Sequence, residues 1–537
     1  MNRHGLVLLV ALAAVALGAQ APEWEWGICS VGLETFGRAY SKGLALDPSG
    51  NSIMAGNIYQ SVAFGAWNLS AYNGNYSDIF VAKADPAGNW LWAVHAGSNN
   101  HDYATAVCTD AAGNSYVTGQ VYTQLGAWFG DIFLQTNGRQ AFVAKLDPAG
   151  NWLWVVFSQR TSDSGEAYGW GIACDAAGNC HVTGVFSGTY AFGPTSLTTY
   201  GGNDVFVAKL DPAGNWLWAS QAGTSISDNV NGICTDAMGN SWITGQFENT
   251  ATFGAHLITA ADDKDAYFAR IGTNGNWLWA KSLGGTLDDW GWRVSADTGG
   301  NSYVIGYLNS TLTFAPTPTS LNGYFTAKMD PGGTWLWATR IAGSNDNLRG
   351  IRTDGAGNSL IGGSFTSTIT VGSTTLTADT GSASAFAASL DPGGNWGWAI
   401  QAHGAGSTGH HIAGEVDGSC VLAGDFGYDV IFGDDHLVGP YDYSVFLARI
   451  ATAGIPDPPA NLLIGRSDGD TGITLSWSAA DGAAVYNVYV SDDPVTGFVY
   501  LLFTTNLSVE ISWAQIAALG FDPGSVFFYV AADTEAP

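Results

Sequence analysis

The chain has 537 residues, with 18 Lys+Arg against 46 Asp+Glu and a formal net charge of −28. This argues against nucleic acid or an anionic membrane surface as a partner. Only 12% of residues are charged while 46% are hydrophobic, which excludes a disordered acidic tail. Gly 72, Trp 22, Tyr 21 and Phe 25 instead describe a β-rich chain with many tight turns, long enough for one to four domains.

The first segment, Asn2-Arg3-His4, is followed by an apolar run from Leu6 to Leu17 and then the small residues Gly18, Ala19 and Ala21. A basic start, a short apolar stretch and a small-residue exit predict a secretory signal peptide over 1–21. No later apolar stretch approaches the ~20 residues that a membrane-spanning helix needs. The expectation is therefore a secreted, extracellular or cell-surface protein, or a periplasmic one, with no membrane insertion. Among six cysteines, Cys174 and Cys180 flank a turn, Asp175-Ala-Ala-Gly-Asn179, that would set them opposite each other. A disulfide there and two buried thiols are both open readings. No CxxC or Cys/His metal spacing occurs.

One phrase then recurs along the chain: Asp110-AAGNSYVTG, Asp175-AAGNCHVTG, Asp236-AMGNSWITG, Asp297-TGGNSYVIG and Asp354-GAGNSLIGG, with weaker copies at Asp47 and Glu415. The starts are 63, 65, 61, 61, 57 and 61 residues apart, giving seven copies. A second phrase keeps the same beat, as in Asp85-PAGNWLWA, Asp147-PAGNWLWV and Asp211-PAGNWLWA, each after an apolar strand such as Phe80-VAK. The seventh such strand, Phe446-LAR, lacks its Trp-x-Trp, and the missing pair stands at the other end of the chain as Trp24-Glu25-Trp26.

One repeat, 204–259, is read as strands at 205–210, 216–222, 231–236 and 241–247, with an extended piece at 251–253. Asp-Pro-Ala-Gly-Asn is a turn in which Pro presets φ, Gly takes the left-handed position and Asp caps the backbone. Strands apolar on both faces fit blades stacked around an axis. A ring explains why one repeat is divided between the two ends of the series, since an N-terminal strand that completes the last blade holds the circle shut. The predicted fold is all-β: a seven-bladed β-propeller over 22–455, closed by its N-terminal strand.

The Asp-x-x-Gly-Asn-Ser-Tyr-Val-Thr-Gly phrase resembles the bacterial secreted β-propeller repeat family (SBBP type) over most of 40–455. That resemblance implies extracellular binding or scaffolding, with no shared catalytic set. A Pro-rich linker follows at 456–459. Residues 460–537, with Ile473-Thr-Leu-Ser-Trp477 and Tyr486-Asn-Val-Tyr489, look like a fibronectin type III β-sandwich. The chain ends at Pro537, where the last strand of that fold begins, so this strand is expected to be very short or missing.

Residues that every repeat shares are expected to serve folding. The repeated Asp residues read as turn caps, with calcium as the alternative. Lys83, Lys145, Lys209, Arg270, Lys328 and Arg449 hold one repeated position, which points to a structural ion pair or a snorkelled stem. The Trp-x-Trp pairs read as blade-to-blade packing. Recognition is expected where the repeats differ, in the loops between strands 2 and 3 and between blades. There the residue five before each repeat Asp reads Lys42, Thr105, Trp170, Asn231, Trp292, Arg349 and His410. The candidate ligand-facing residues are the acidic and aromatic groups of these loops, Asp102-Tyr103, Asp163, Asp228 and Asp289, together with Trp170, Trp292, Arg349 and His410.

No Gly-x-Ser-x-Gly, His-Glu-x-x-His or phosphate-binding loop occurs, so neither catalytic nor metal residues are assigned and no cofactor is expected. The reading is an exported, non-enzymatic binding or scaffold protein, monomeric, with an extracellular protein or polysaccharide as partner. A lectin-like propeller is the alternative, and a propeller hydrolase or lyase is the third reading.

Overall fold

The computed structural model describes residues 22–451 except 124, 137, 163, 237, 316–318, 344–345, 380–381, 415–418 and 440–442. Beyond them it describes 463–466, 472–476, 485–491, 499–504, 506, 508–512 and 527–533. The expected signal peptide (1–21) and linker (456–459) lie outside the described residues, as does Asp163.

Among the described residues there is no helix. Strands Arg38–Leu46, Ser52–Tyr59, Ser77–Ala84 and Trp90–Gly97 pair in that order as an antiparallel meander. The pattern repeats from Tyr103–Thr109 to Trp152–Phe157, from Ala167–Cys174 to Trp216–Gly223, and from Asn229–Thr235 to Trp277–Leu283. It continues from Trp290–Ala296 to Trp335–Thr339 and from Asp346–Thr353 to Trp396–Gln401. The last sheet orders His403–Gly414, Cys420–Phe432 and Ser444–Ala451, then takes its outer strand from Glu23–Cys29. Such repeated four-stranded sheets are the blades of a β-propeller. Each sheet begins on the strand that leads into a repeat Asp, so the four strands expected over 204–259 are divided between two neighbouring sheets.

The repeated phrases build each blade in the same way. In the turn at Asp110, Oδ1 accepts the Ala112 and Asn114 backbone N–H groups at 3.0 and 2.9 Å, and Gly113 takes φ +79°. The carboxyl then reaches the basic residue of the third strand: Lys83 lies 2.7 Å from Asp47 and Lys209 lies 2.9 Å from Asp175. Burial opposes ionisation of Asp175, but the Asn179 amide and the Lys209 ammonium hold its carboxyl down at about 2. The expected ion pair is thus present in the first five sheets, where it closes the turn onto its own blade, while Arg449 of the last sheet pairs with Glu25 of the N-terminal strand.

Apolar clusters lie between neighbouring sheets. One joins Ile53 and Val81 of the first sheet to Val117 and Phe142 of the second. Another joins Val421 and Leu447 of the last sheet to Met54 and Phe80 of the first. Each fully buried side chain of this size stabilises by roughly 1.5–3 kcal/mol. The Trp-x-Trp pairs add a directed link. The second indole donates to a carbonyl in the turn of the following blade: Trp92 to Pro148 at 3.0 Å, Trp279 to Pro331 at 2.9 Å, and Trp26 to Pro86 at 2.8 Å. Its ring lies over the turn glycine, so a Cβ on Gly150 would meet the Trp92 ring at 2.8 Å. The first indole meets a Phe from a short outer hairpin, as in Trp277 with Phe253 at 5.0 Å. The Leu between them was expected to be buried on both sides, yet Leu153 is 48% exposed because this strand forms the outer edge of the four-stranded meander.

The question left open at Cys174 and Cys180 has a third answer. Cys174 and Cys180 do face each other in register, but Cys174 bonds Cys108 on the neighbouring inner strand, with Cα atoms 6.2 Å apart. The inner strands of adjacent blades converge toward the axis, and Cys180 stays a buried thiol.

In the C-terminal unit, Leu463–Arg466, Gly472–Ser476 and Ser508–Ser512 form one antiparallel sheet. Val499–Thr504, Val485–Ser491 and Phe527–Asp533 form a second.

Candidate binding site around the channel

Each inner strand carries a register shift at the same point of the repeat. The shifts fall between Ser41/Gly43, Gly169/Gly171, Val230/Gly232, Gly291/Arg293, Leu348/Gly350 and Gly409/His411. In the second blade Thr118 pairs Ala106 while Gly119 pairs Ala104. The residues left without a partner are therefore Lys42, Thr105, Trp170, Asn231, Trp292, Arg349 and His410, the position at which the repeats differ. A bulge of this kind re-aims one side chain. The repeat glycine accommodates it, because the carbonyl two residues before the bulge takes the space of a Cβ: at Gly119 that atom would meet the Tyr103 oxygen at 1.8 Å.

A cavity of about 820 Å³ is lined by these inner strands, from Lys42, Thr105, Trp170 and Asn231 down to the turns at Asp47 and Asp110. The bulge residues also tie neighbouring blades. Thr105 Oγ1 donates to the Gly169 carbonyl at 2.9 Å and Asn231 Nδ2 to the Gly291 carbonyl at 2.9 Å. The Arg349 guanidinium lies 4.9 Å from the Trp292 ring, a cation–π contact. His410 Nε2 faces Asp425 Oδ2 at 3.2 Å. Trp170 is the most open of the aromatic candidates, 45% exposed.

Aromatic side chains continue outward from this ring over the first three blades. Tyr40 packs on Tyr59, Tyr59 and Tyr76 pack on His101, and His101 stacks on Tyr103 at 5.9 Å. Arg139 lies between the Tyr122 and Tyr168 rings, 4.8 and 5.2 Å from them, and pairs with Glu166 at 3.2 Å. The sequence reading missed this belt, because its tyrosines come from different strands of different blades.

The acidic candidates need correction. Asp102, Asp228 and Asp289 are buried and face inward, not toward a ligand. Asp102 accepts the Tyr122 N–H at 2.9 Å, Asp228 the Thr224 N–H at 2.7 Å, and Asp289 the Gly285 and Asn309 N–H groups, each at 2.8 Å. Two of the three sit beside a second buried carboxyl at a glycine: Asp78 Oδ1 and Asp102 Oδ2 crowd Gly97, and Asp204 and Asp228 crowd Gly223. In the third, Asp265 takes the corresponding place at Gly284. Burial pushes Asp78 up to about 8, Asp102 and Asp228 to about 7, and Asp204 and Asp265 to about 6. These are backbone caps whose burial favours the protonated carboxyl more than in an exposed aspartate.

Ser241, His181 and Asp175 align like a hydrolytic triad, with Ser241 Oγ 2.8 Å from His181 Nδ1 and His181 Nε2 3.5 Å from Asp175. Ser241 and His181 are completely buried, and burial beside Lys209 holds the imidazole down at about 4. A substrate cannot reach this hydroxyl. Among the described residues no cluster of three or more His, Cys, Asp or Glu could hold a metal.

No family model matches the chain, so the secreted-repeat resemblance rests on the repeated phrase alone. An uncharacterised WD repeat-containing protein of Acanthamoeba polyphaga mimivirus is 25% identical over 480 residues, covering 72% of this chain and 34% of that protein. The chain thus spans about a third of the length of this curated relative. The repeated four-stranded sheets make the fold a β-propeller, and the relative is named for repeats of the WD kind. Solved structures with a likeness include the quinohemoprotein alcohol dehydrogenase of Comamonas testosteroni, at 12% identity and TM-score 0.39 over 83% of this chain and 79% of that one. YCF48 bound to D1 peptide is another, at 12% identity and TM-score 0.29 over 62% and 89%.

Proposed function

We propose that this chain is an exported, non-enzymatic binding protein: a seven-bladed propeller closed by its N-terminal strand, followed by a fibronectin type III-like module that acts as a spacer. The observation that carries the reading is the bulge ring. A device repeated along the inner strands presents side chains of varied chemistry, of which Lys42, Thr105, Trp170 and Asn231 line the channel, and the Tyr belt extends that surface. Rigid aromatic and polar groups converging in this way suit recognition of a macromolecular surface. An extracellular protein is the first reading of the partner. A glycan is the second, favoured by the open indole of Trp170.

Binding of the purified chain to a glycan panel, followed by pull-down from the medium of the producing cells, tests both. A partner lost on Trp170→Ala, with the fold intact by circular dichroism, supports the reading. Binding indifferent to changes at Trp170, Trp292 and Tyr103 alike overturns it.

A further inference from the structure

The basic residues of this acidic chain are unevenly placed. Lys42, Arg293, Arg352 and His411 all line the channel cavity. They come from consecutive inner strands: Trp290–Ala296, Asp346–Thr353, His403–Gly414 and, against the last, Arg38–Leu46. Asn231 and Cys234 adjoin the arc, and the rest of the wall offers Thr105, Cys108, Trp170 and Ala173, all uncharged. One side of the channel is therefore a cationic arc. Arg349 stands at the mouth of the same arc, on the Trp292 ring.

The acids near the cavity do not neutralise this arc. Asp47 and Asp110, at the far end, are engaged by Lys83 at 2.7 Å and Lys145 at 3.6 Å. Asp425 reaches the arc but accepts the Ser41 N–H at 2.8 Å and faces His410. Among the described residues no carboxylate lies in ion-pair contact with Lys42, Arg293, Arg349 or Arg352. Arg293 Nη1 donates to the Asn231 and Trp292 carbonyls. Enclosure lowers the Arg293 guanidinium to about 10, with Arg349 adding to it, and holds His411 well below its ordinary value, with Arg293 and Lys42 contributing. Cations gathered in an enclosed space without counter-charge are costly unless an anion joins them.

We propose that this arc is an anion-binding site, taking a sulfate, phosphate or carboxylate group on a ligand small enough to enter the channel. Charge-assisted hydrogen bonds from Arg293 and Arg352 suit an oxyanion, and Lys42 adds a point charge from the adjoining strand. The indole of Trp170 across the channel offers a face for a sugar ring that carries the group.

The test uses the full chain at constant ionic strength in chloride, with thermal unfolding and calorimetry as readouts. Sodium phosphate, sodium sulfate, galacturonate and trigalacturonate are titrated separately to about 10 mM, which reaches affinities in the millimolar range. A saturable rise in Tm is expected, with at least a tenfold weaker response in Arg352→Gln and in Lys42→Gln, both exposed residues of the channel lining. Lys281→Gln, on an outer strand, should respond as the parent does. A response to phosphate or sulfate alone identifies a free oxyanion, and a stronger response to the uronates identifies an acidic sugar. No saturable response to any of the four, or equal responses in parent and both arc variants, overturns the proposal. Because these probes need no macromolecular partner, the result stands apart from the fate of the loop-face reading.

Discussion

At the residue scale, the second tryptophan in six of the pairs makes two separate contributions, a hydrogen bond to the next blade and a ring over its turn glycine. Trp92→Phe loses the bond to Pro148 and should cost about 1 kcal/mol. Trp92→Ala also opens a cavity and should cost about 3–5 kcal/mol, both measured by urea unfolding. The buried carboxyls give a second prediction. In the unfolded chain they ionise near about 4, whereas in the fold Asp78, Asp102, Asp204, Asp228 and Asp265 keep their protons to about 6–8. The folded form holds more protons between those limits, so stability should fall as pH rises through that window and level off above about 8. Asp78→Asn with Asp102→Asn should flatten this slope in Tm measured from pH 5 to 9. An unchanged slope would remove these carboxyls as its source.

At the element scale, the bulged inner strand joins folding to variability. Its carbonyl fills the space over the repeat glycine, so Gly119→Ala should destabilise strongly while Thr105→Ser beside it should be mild. The two are separated by thermal unfolding. The turns, the ion-pair partners and the Trp strands were legible in the sequence because short-range chemistry and repetition both point to them. The acidic candidates were misread for a physical reason. Asp102, Asp228 and Asp289 sit in loops of variable sequence, and nothing local reveals that each turns inward to cap a backbone amide. The disulfide partner of Cys174 was not legible either, since the Cys108 strand belongs to another blade. Peptide mapping without reduction should recover Cys108 linked to Cys174, and recovery of a Cys174–Cys180 peptide would contradict the fold around the axis.

At the scale of the whole molecule, the position of Trp24 and Trp26 is the informative feature. Their strand, Glu23–Cys29, pairs with Ser444–Ala451, and Ser30 N–H donates to the Val445 carbonyl at 3.0 Å. Deleting residues 22–30 removes two indoles worth about 3–5 kcal/mol each. A sharply lower Tm and early proteolysis at the edge of the last sheet are expected, and an unaltered Tm would refute closure by strand exchange. The convergence of distant residues on the channel was not legible, because Lys42, Arg293, Arg352 and His411 share no motif and meet only when the blades are set side by side.

The contact from Trp26 to Pro86 is of the same kind as that from Trp92 to Pro148. If the ring closes as proposed, the junction between the ends of the repeat series uses the same Trp-to-turn contact as the junctions inside it. A circular permutant that joins the two ends of the propeller and opens the chain in another turn, such as the one before Trp216, should fold to the same molecule. Where the polypeptide starts would then be an accident of gene order, which recombination between repeats is free to move.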